Sequence, residues 1–192
     1  MFRKVGKRYT NRSNRRVFVF IDFKKNIERC RKSLVDFYIE VWKEPPWEEL
    51  FWTSENVNEI INSALEKKDF VGRLVVKSPE EEVVGFVWGY KLPLEKFTCL
   101  KDYYPKEDNT EEKTYFYLAD LAVKADYRNS GIGTFLLNKL TEEARKLGYE
   151  YAVLTTDVNA KAYNLYIYSG FEDLNIRDPR YPTRTYMMKS LR

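Results

Sequence analysis

Two spacings of apolar residues alternate along the chain. Residues 16–22 (RVFVFID) switch side at every position, the two-residue period of a strand. Over 27–42 the apolar positions Ile27, Cys30, Leu34, Phe37, Tyr38 and Val41 fall three and four apart, which predicts a helix. Pro45 and Pro46 end it, because each removes a donor and fixes φ. A second helix is predicted from a Ser54 cap to about Lys67, burying Val57, Ile60, Ile61, Ala64 and Leu65. Residues 70–77 and 83–92 are β-rich runs on either side of Ser78-Pro79-Glu80-Glu81, which reads as a hairpin. Residues 93–113 are polar, contain Pro105 and predict a surface loop. Residues 114–123 are the longest strand candidate. There follow a turn, a helix over 131–147, a buried strand over 151–155, a short helix over 159–169, and strands at 171–174 and 183–189. The order β-α-α-β-β-β-α-β-α-β-β predicts an α/β fold, a mixed sheet with helices on both faces.

Composition narrows the chemistry. The 192 residues are 44% hydrophobic and 32% charged, which excludes a disordered or collagen-like chain and leaves room for one sizeable core. No apolar run is long enough to span a bilayer, and the basic start lacks a signal-type apolar stretch. The expectation is a cytoplasmic protein with no membrane partner. Histidine is absent, so an imidazole base, a His-ordered triad and a His-ligated metal are excluded. Cys30 and Cys99 stand in unrelated contexts and cannot make a Cys-only zinc site, so two free buried thiols and no metal are expected. The formal charge of +4 is uneven. Residues 1–16 hold seven Lys/Arg and no acid, which leaves 17–192 net negative. The chain therefore divides into a basic arm over 1–16, read as a solvated terminus, and a single domain over 17–192. A nucleic-acid partner needs basic and aromatic residues on the folded surface too, and is not expected.

The informative turn is Arg128-Asn129-Ser130-Gly131-Ile132-Gly133-Thr134, directly after one strand and before an amphipathic helix. Glycines there let backbone N–H groups approach a ligand, and the helix start adds unpaired donors and partial positive charge. With the Arg128 cation and the Thr134 hydroxyl, this predicts an anion cradle suited to phosphate or diphosphate. Leu136 stands where a dinucleotide fingerprint needs its third glycine, and no Gly-x4-Gly-Lys-Ser/Thr loop is present.

About thirty residues on, Asn159, Ala162, Leu165, Tyr166, Gly170 and Phe171 form the pattern Asn-x-x-Ala-x-x-Leu-Tyr-x-x-x-Gly-Phe. Together with Arg128-x-x-Gly131-x-Gly133 and the strand before it, this resembles the GNAT-type N-acetyltransferase superfamily, firmly over 114–171. The resemblance implies a GNAT fold with a mostly antiparallel twisted sheet of six to seven strands. It implies acetyl-CoA as co-substrate: diphosphate on residues 128–134 (Ser130 and Ile132 included), pantetheine along Leu121, Ala122 and Val123, and Asn159 on a pantetheine amide. The implied reaction is direct attack by a primary amine through a tetrahedral intermediate. Tyr166 takes the general-acid position, a backbone N–H near Leu121 the oxyanion, and Asp120 or water the base. The acceptor, a small-molecule or peptide amine, is expected at the aromatic and acidic loop 42–52 and at 175–182. A homodimer through terminal strands is also common in the superfamily. The rival reading is a non-catalytic acyl-CoA-binding or nucleic-acid-associated module of the same fold. Tyr117 and Tyr168 read as aromatic packing.

Overall fold

The computed structural model of this chain describes residues 3–5, 8–10, 17–79, 81–92 and 115–192. Its elements are β1 (Arg3–Val5), β2 (Arg8–Thr10), β3 (Val17–Asp22), α1 (Phe23–Trp42), α2 (Ser54–Leu65), β4 (Val71–Ser78), β5 (Glu82–Leu92), β6 (Tyr115–Val123), α3 (Ile132–Lys146), β7 (Tyr151–Asp157), α4 (Lys161–Tyr168), β8 (Glu172–Asp178) and β9 (Tyr181–Ser190). The strands form one sheet in the order β1-β2-β3-β4-β5-β6-β7-β9-β8. Every neighbouring pair is antiparallel except β6 and β7. From β3 onward, all eleven expected elements are present in the expected order. The predicted loop over 93–113, with Cys99, lies outside the described residues.

Alternation along the central strands builds two cores. Leu74 and Val76 of β4, with Phe86 and Trp88 of β5, pack on one face among α1 and α2 residues such as Phe37 and Ile61. Val75, Val84 and Val87 face the other way, onto Leu136, Leu137 and Leu140 of α3. Those three leucines are fully buried. Each contributes roughly 2 kcal/mol of transfer free energy, which holds the start of α3 against the sheet.

Several boundaries differ from the sequence reading, for local reasons. α1 starts at Phe23 because the Asp22 carboxylate accepts from the Lys25 N–H at 2.9 Å. α2 is capped by Thr53, not Ser54: the Thr53 hydroxyl accepts the Asn56 N–H, and the Asn56 side chain accepts the Thr53 N–H. β5 has eleven residues and is longer than the nine-residue β6. Residues 175–182 are mostly strand, with only Pro179 and Arg180 between β8 and β9. The basic arm supplies β1 and β2, whose backbones extend the sheet beyond β3 where a frayed terminus was expected.

Two irregularities open the sheet. β6 pairs with β7 only at Phe116↔Ala152 and Tyr117↔Val153. Beyond that β6 stays with β5 up to Gly85↔Val123, while β7 stays with β9 up to Asp157↔Arg184, so a wedge opens between them. Within β6, Trp88 pairs with Asp120 and Gly89 with Leu118, which leaves Ala119 as the extra residue of a β-bulge.

Candidate active site

The wedge holds a cavity of about 700 Å³. It is lined by residues of the 128–134 turn, by Asp120 and Tyr166, and by the loop after α1, whose Glu44 meets Arg128.

In the cradle, Gly131 is the α3 N-cap at φ 88°, and Asn129 is also left-handed at φ 56°. Glycine takes the first conformation without penalty, and asparagine tolerates the second better than most residues. Gly133 and Thr134, in the first turn of α3 where a helix leaves N–H groups without internal partners, line the cavity. A Cβ at position 133 would stand 3.1 Å from Leu165 Cδ2, so α4 approaches α3 as closely as glycine allows. Arg128 is not a loose cation. Its Nε donates to the Val123 carbonyl at 2.8 Å, and its Nη1 meets Glu44 at 2.6 Å.

Asp120 is half-buried and its carboxyl is pushed up to about 7. Desolvation is the largest cause and the Glu49 charge adds to it; the Trp88 indole and Tyr38 phenol pull the other way. The Tyr166 side chain is buried, and burial followed by the Asp120 and Tyr117 charges raises its phenol above the ordinary value. Tyr166 also packs edge-on against Phe171, with ring centroids 5.8 Å apart. The Tyr117 hydroxyl stands 3.4 Å from Thr155 Oγ1.

On the loop after α1, Glu49 accepts from the Trp52 indole and from Arg184 Nη2, both at 2.8 Å. Arg184 lies over the Trp47 ring at 5.0 Å and the Tyr181 ring at 4.1 Å. Among the described residues, no group of three or more His, Cys, Asp or Glu could hold a metal, and no helix is long and apolar enough to cross a membrane. Cys30 is buried and free.

The Acetyltransferase (GNAT) family model matches residues 27–171 of this chain, which include both β6 and β7. The chain belongs to the GNAT family of acetyltransferases. It is similar to thialysine N-epsilon-acetyltransferase of Mus musculus, 41% identical over 59 residues that make up 30% of this chain and 35% of that relative. The match thus spans about a third of the curated relative's length. Among solved structures it resembles Arabidopsis thaliana NAA60 in complex with acetyl-CoA, with a TM-score of 0.66, 18% identity, and 90% and 98% of the two chains covered. It also resembles a chain of the NatC complex bound to Gag peptide and CoA, with a TM-score of 0.64, 15% identity, and 91% and 99% covered. At such identities the likeness shows the fold.

Of the GNAT positions named from sequence, Asp120, Leu121, Ala122, Val123, Arg128, Asn129, Gly131, Gly133, Thr134 and Tyr166 line the cavity. Ser130, Ile132 and Asn159 do not. Ser130 turns its hydroxyl to the Tyr127 carbonyl, and Ile132 is buried in the core. Asn159 is exposed, with its N–H on the Asp157 carboxylate at 2.8 Å. The bulge residue Ala119 directly precedes Asp120. Tyr168 is 89% exposed, so it does not pack as the sequence suggested. Arg184 carries no signal in the sequence, because an arginine in a terminal strand ordinarily faces solvent. Tyr38 has the spacing of a core residue of α1 and is one, while its other side lines the cavity.

Proposed function

We propose that this chain transfers the acetyl group of acetyl-CoA to a primary amine. The single observation that carries the reading is that the β6/β7 wedge joins an anion cradle, a raised carboxyl and a buried phenol in one cavity. The residues present fit the co-substrate. A Cβ at position 133 would sit tight against Leu165, and the α3 start with Arg128 suits a diphosphate. Leu121, Ala122 and Val123 would run beside the pantetheine, and residues 128–134 would hold the diphosphate. When bound, acetyl-CoA supplies an activated acetyl carbon and a sulfur leaving group.

Each chain residue then has a bounded task. Asp120, close to half ionised at neutral pH, takes a proton from the incoming ammonium so that nitrogen can attack. A backbone N–H next to the Ala119 bulge, on the Leu121 side, donates to the oxygen that gains negative charge. Tyr166 keeps its proton throughout the neutral range and donates to the departing sulfur. Glu49, fixed by Trp52 and Arg184, adds negative charge where a cationic amine would enter.

The test is a panel of amines, from diamines to peptides, incubated with acetyl-CoA and followed by thiol release. At a concentration about 100 times its Kd, acetyl-CoA should stabilise the fold by about 2.7 kcal/mol. For a chain of this size that is a Tm rise of roughly 5–10 °C. Stabilisation together with amine-dependent thiol release is the expected result. A Tm that ignores acetyl-CoA contradicts the reading, and stabilisation without release from any amine would leave a binding module.

A further inference from the structure

Beside the cavity lining, the loop after α1 exposes large apolar side chains that acetyl transfer alone does not require. Leu50 is 75% exposed and Phe51 62%, and they sit between Glu49 and Trp52, both of which line the cavity. The Phe51 ring lies 4.7 Å from that of Trp52, and Trp52 lies 5.3 Å from Tyr38. Tyr38 stacks in turn on Trp88 at 6.0 Å, and Trp88 is the strand partner of Asp120. A continuous run of rings therefore leads from the exposed Phe51 to the carboxylate. The Phe51 backbone is fixed, its carbonyl accepting from Asn56 Nδ2 at 3.1 Å. On the opposite strand, Arg184 ties Glu49 to the half-exposed ring of Tyr181.

Neighbouring large apolar side chains exposed next to a pocket offer a surface that a bound chain can cover. A small hydrophilic amine would pass this surface and leave it wet. A chain with an apolar side chain beside its amine would cover it, while its ammonium is drawn inward by Glu49 and Asp120. Charge inside the cavity and apolar surface beside it thus select the same kind of molecule.

We propose that the acceptor is the amino terminus of a peptide or protein whose first residue is bulky and apolar, seated on Leu50, Phe51 and Tyr181. This deepens the acetyl transfer argued above and rests on it. The α-ammonium gives one proton to Asp120, which passes it to solvent. Its nitrogen bonds to the acetyl carbon, the carbonyl oxygen takes up negative charge, and collapse of that intermediate breaks the carbon–sulfur bond. The sulfur leaves as the thiol, taking the proton that Tyr166 hands on from the nitrogen.

The full chain is tested by thiol release with acetyl-CoA and three acceptors: two peptides differing only in Leu or Gly at the first position, and 1,4-diaminobutane. The Leu-first peptide should exceed the Gly-first peptide in kcat/KM by at least about tenfold. Replacing Leu50→Ser and Phe51→Ser together should erase that preference through KM, while acetyl-CoA still raises Tm. Equal turnover of the two peptides, turnover of the diamine alone, or a preference that survives both replacements overturns the proposal. The underlying transfer fails differently: no acceptor releases thiol and acetyl-CoA leaves Tm unmoved.

Discussion

Asp120→Asn should lower kcat by about 10²–10⁴-fold, the usual worth of a positioned general base. The amide keeps the shape of the side chain and cannot accept the proton. In the unsubstituted chain kcat/KM should climb with pH to a plateau, with an acidic limb near 7 where the Asp120 carboxyl titrates. In the variant that limb should vanish along with the rate. Stability should move the other way. An ordinary aspartate titrates at about 4, whereas folded Asp120 holds its proton until about 7. Between those values the folded chain binds a proton that the unfolded chain has released. Stability therefore falls as pH rises through that window, and the deficit persists above it. Asparagine carries no such deficit, so Asp120→Asn should raise Tm more at pH 8 than at pH 4. A variant that keeps kcat within a few-fold, or gains the same Tm at both pH values, removes Asp120 from the role.

Tyr166→Phe should lower kcat by about 10–10²-fold while leaving the Kd for acetyl-CoA nearly unchanged. That split marks a contact made chiefly in the transition state. The raised phenol stays protonated at neutral pH, so in this role Tyr166 would have a proton to hand to the sulfur as charge builds there. The ring stays edge-on to Phe171 in the variant, so Tm should hardly change. A Kd that rises in step with the fall in kcat would make Tyr166 a binding residue instead.

How much of this was legible in the sequence follows from how local each signal is. The α3 start was readable because two glycines, an arginine and an amphipathic run fall within twenty residues and act through the backbone there. α1 and α2 are readable from their spacing; the start of α1 and the cap of α2 differ, because Asp22 and Thr53 lie just ahead of the apolar pattern. The wedge was not readable from residue types alone. It arises where β7 follows β9 instead of β6, and register between distant strands leaves no mark in either stretch. Nor were the long-range partners: Glu44 on Arg128 and Glu49 on Arg184 join residues far apart in the chain. Loop 42–52 is aromatic and acidic on its face, but Arg128 and Arg184, which pair with its Glu44 and Glu49, come from elsewhere in the fold. Asn159 is a different case. A motif position was recognisable, yet its side chain is exposed outside the cavity lining.

The cradle itself is read most directly by isothermal titration of acetyl-CoA into the unsubstituted chain, Gly131→Asn and Gly131→Glu. Asparagine tolerates the left-handed backbone of position 131 and adds no charge, so its Kd should stay within about threefold. A glutamate there strains the backbone and sets a carboxylate where the diphosphate would bind, and Kd should rise by more than about tenfold. A folded Gly131→Glu chain that binds acetyl-CoA as tightly as the unsubstituted one would show that the phosphates are held somewhere else.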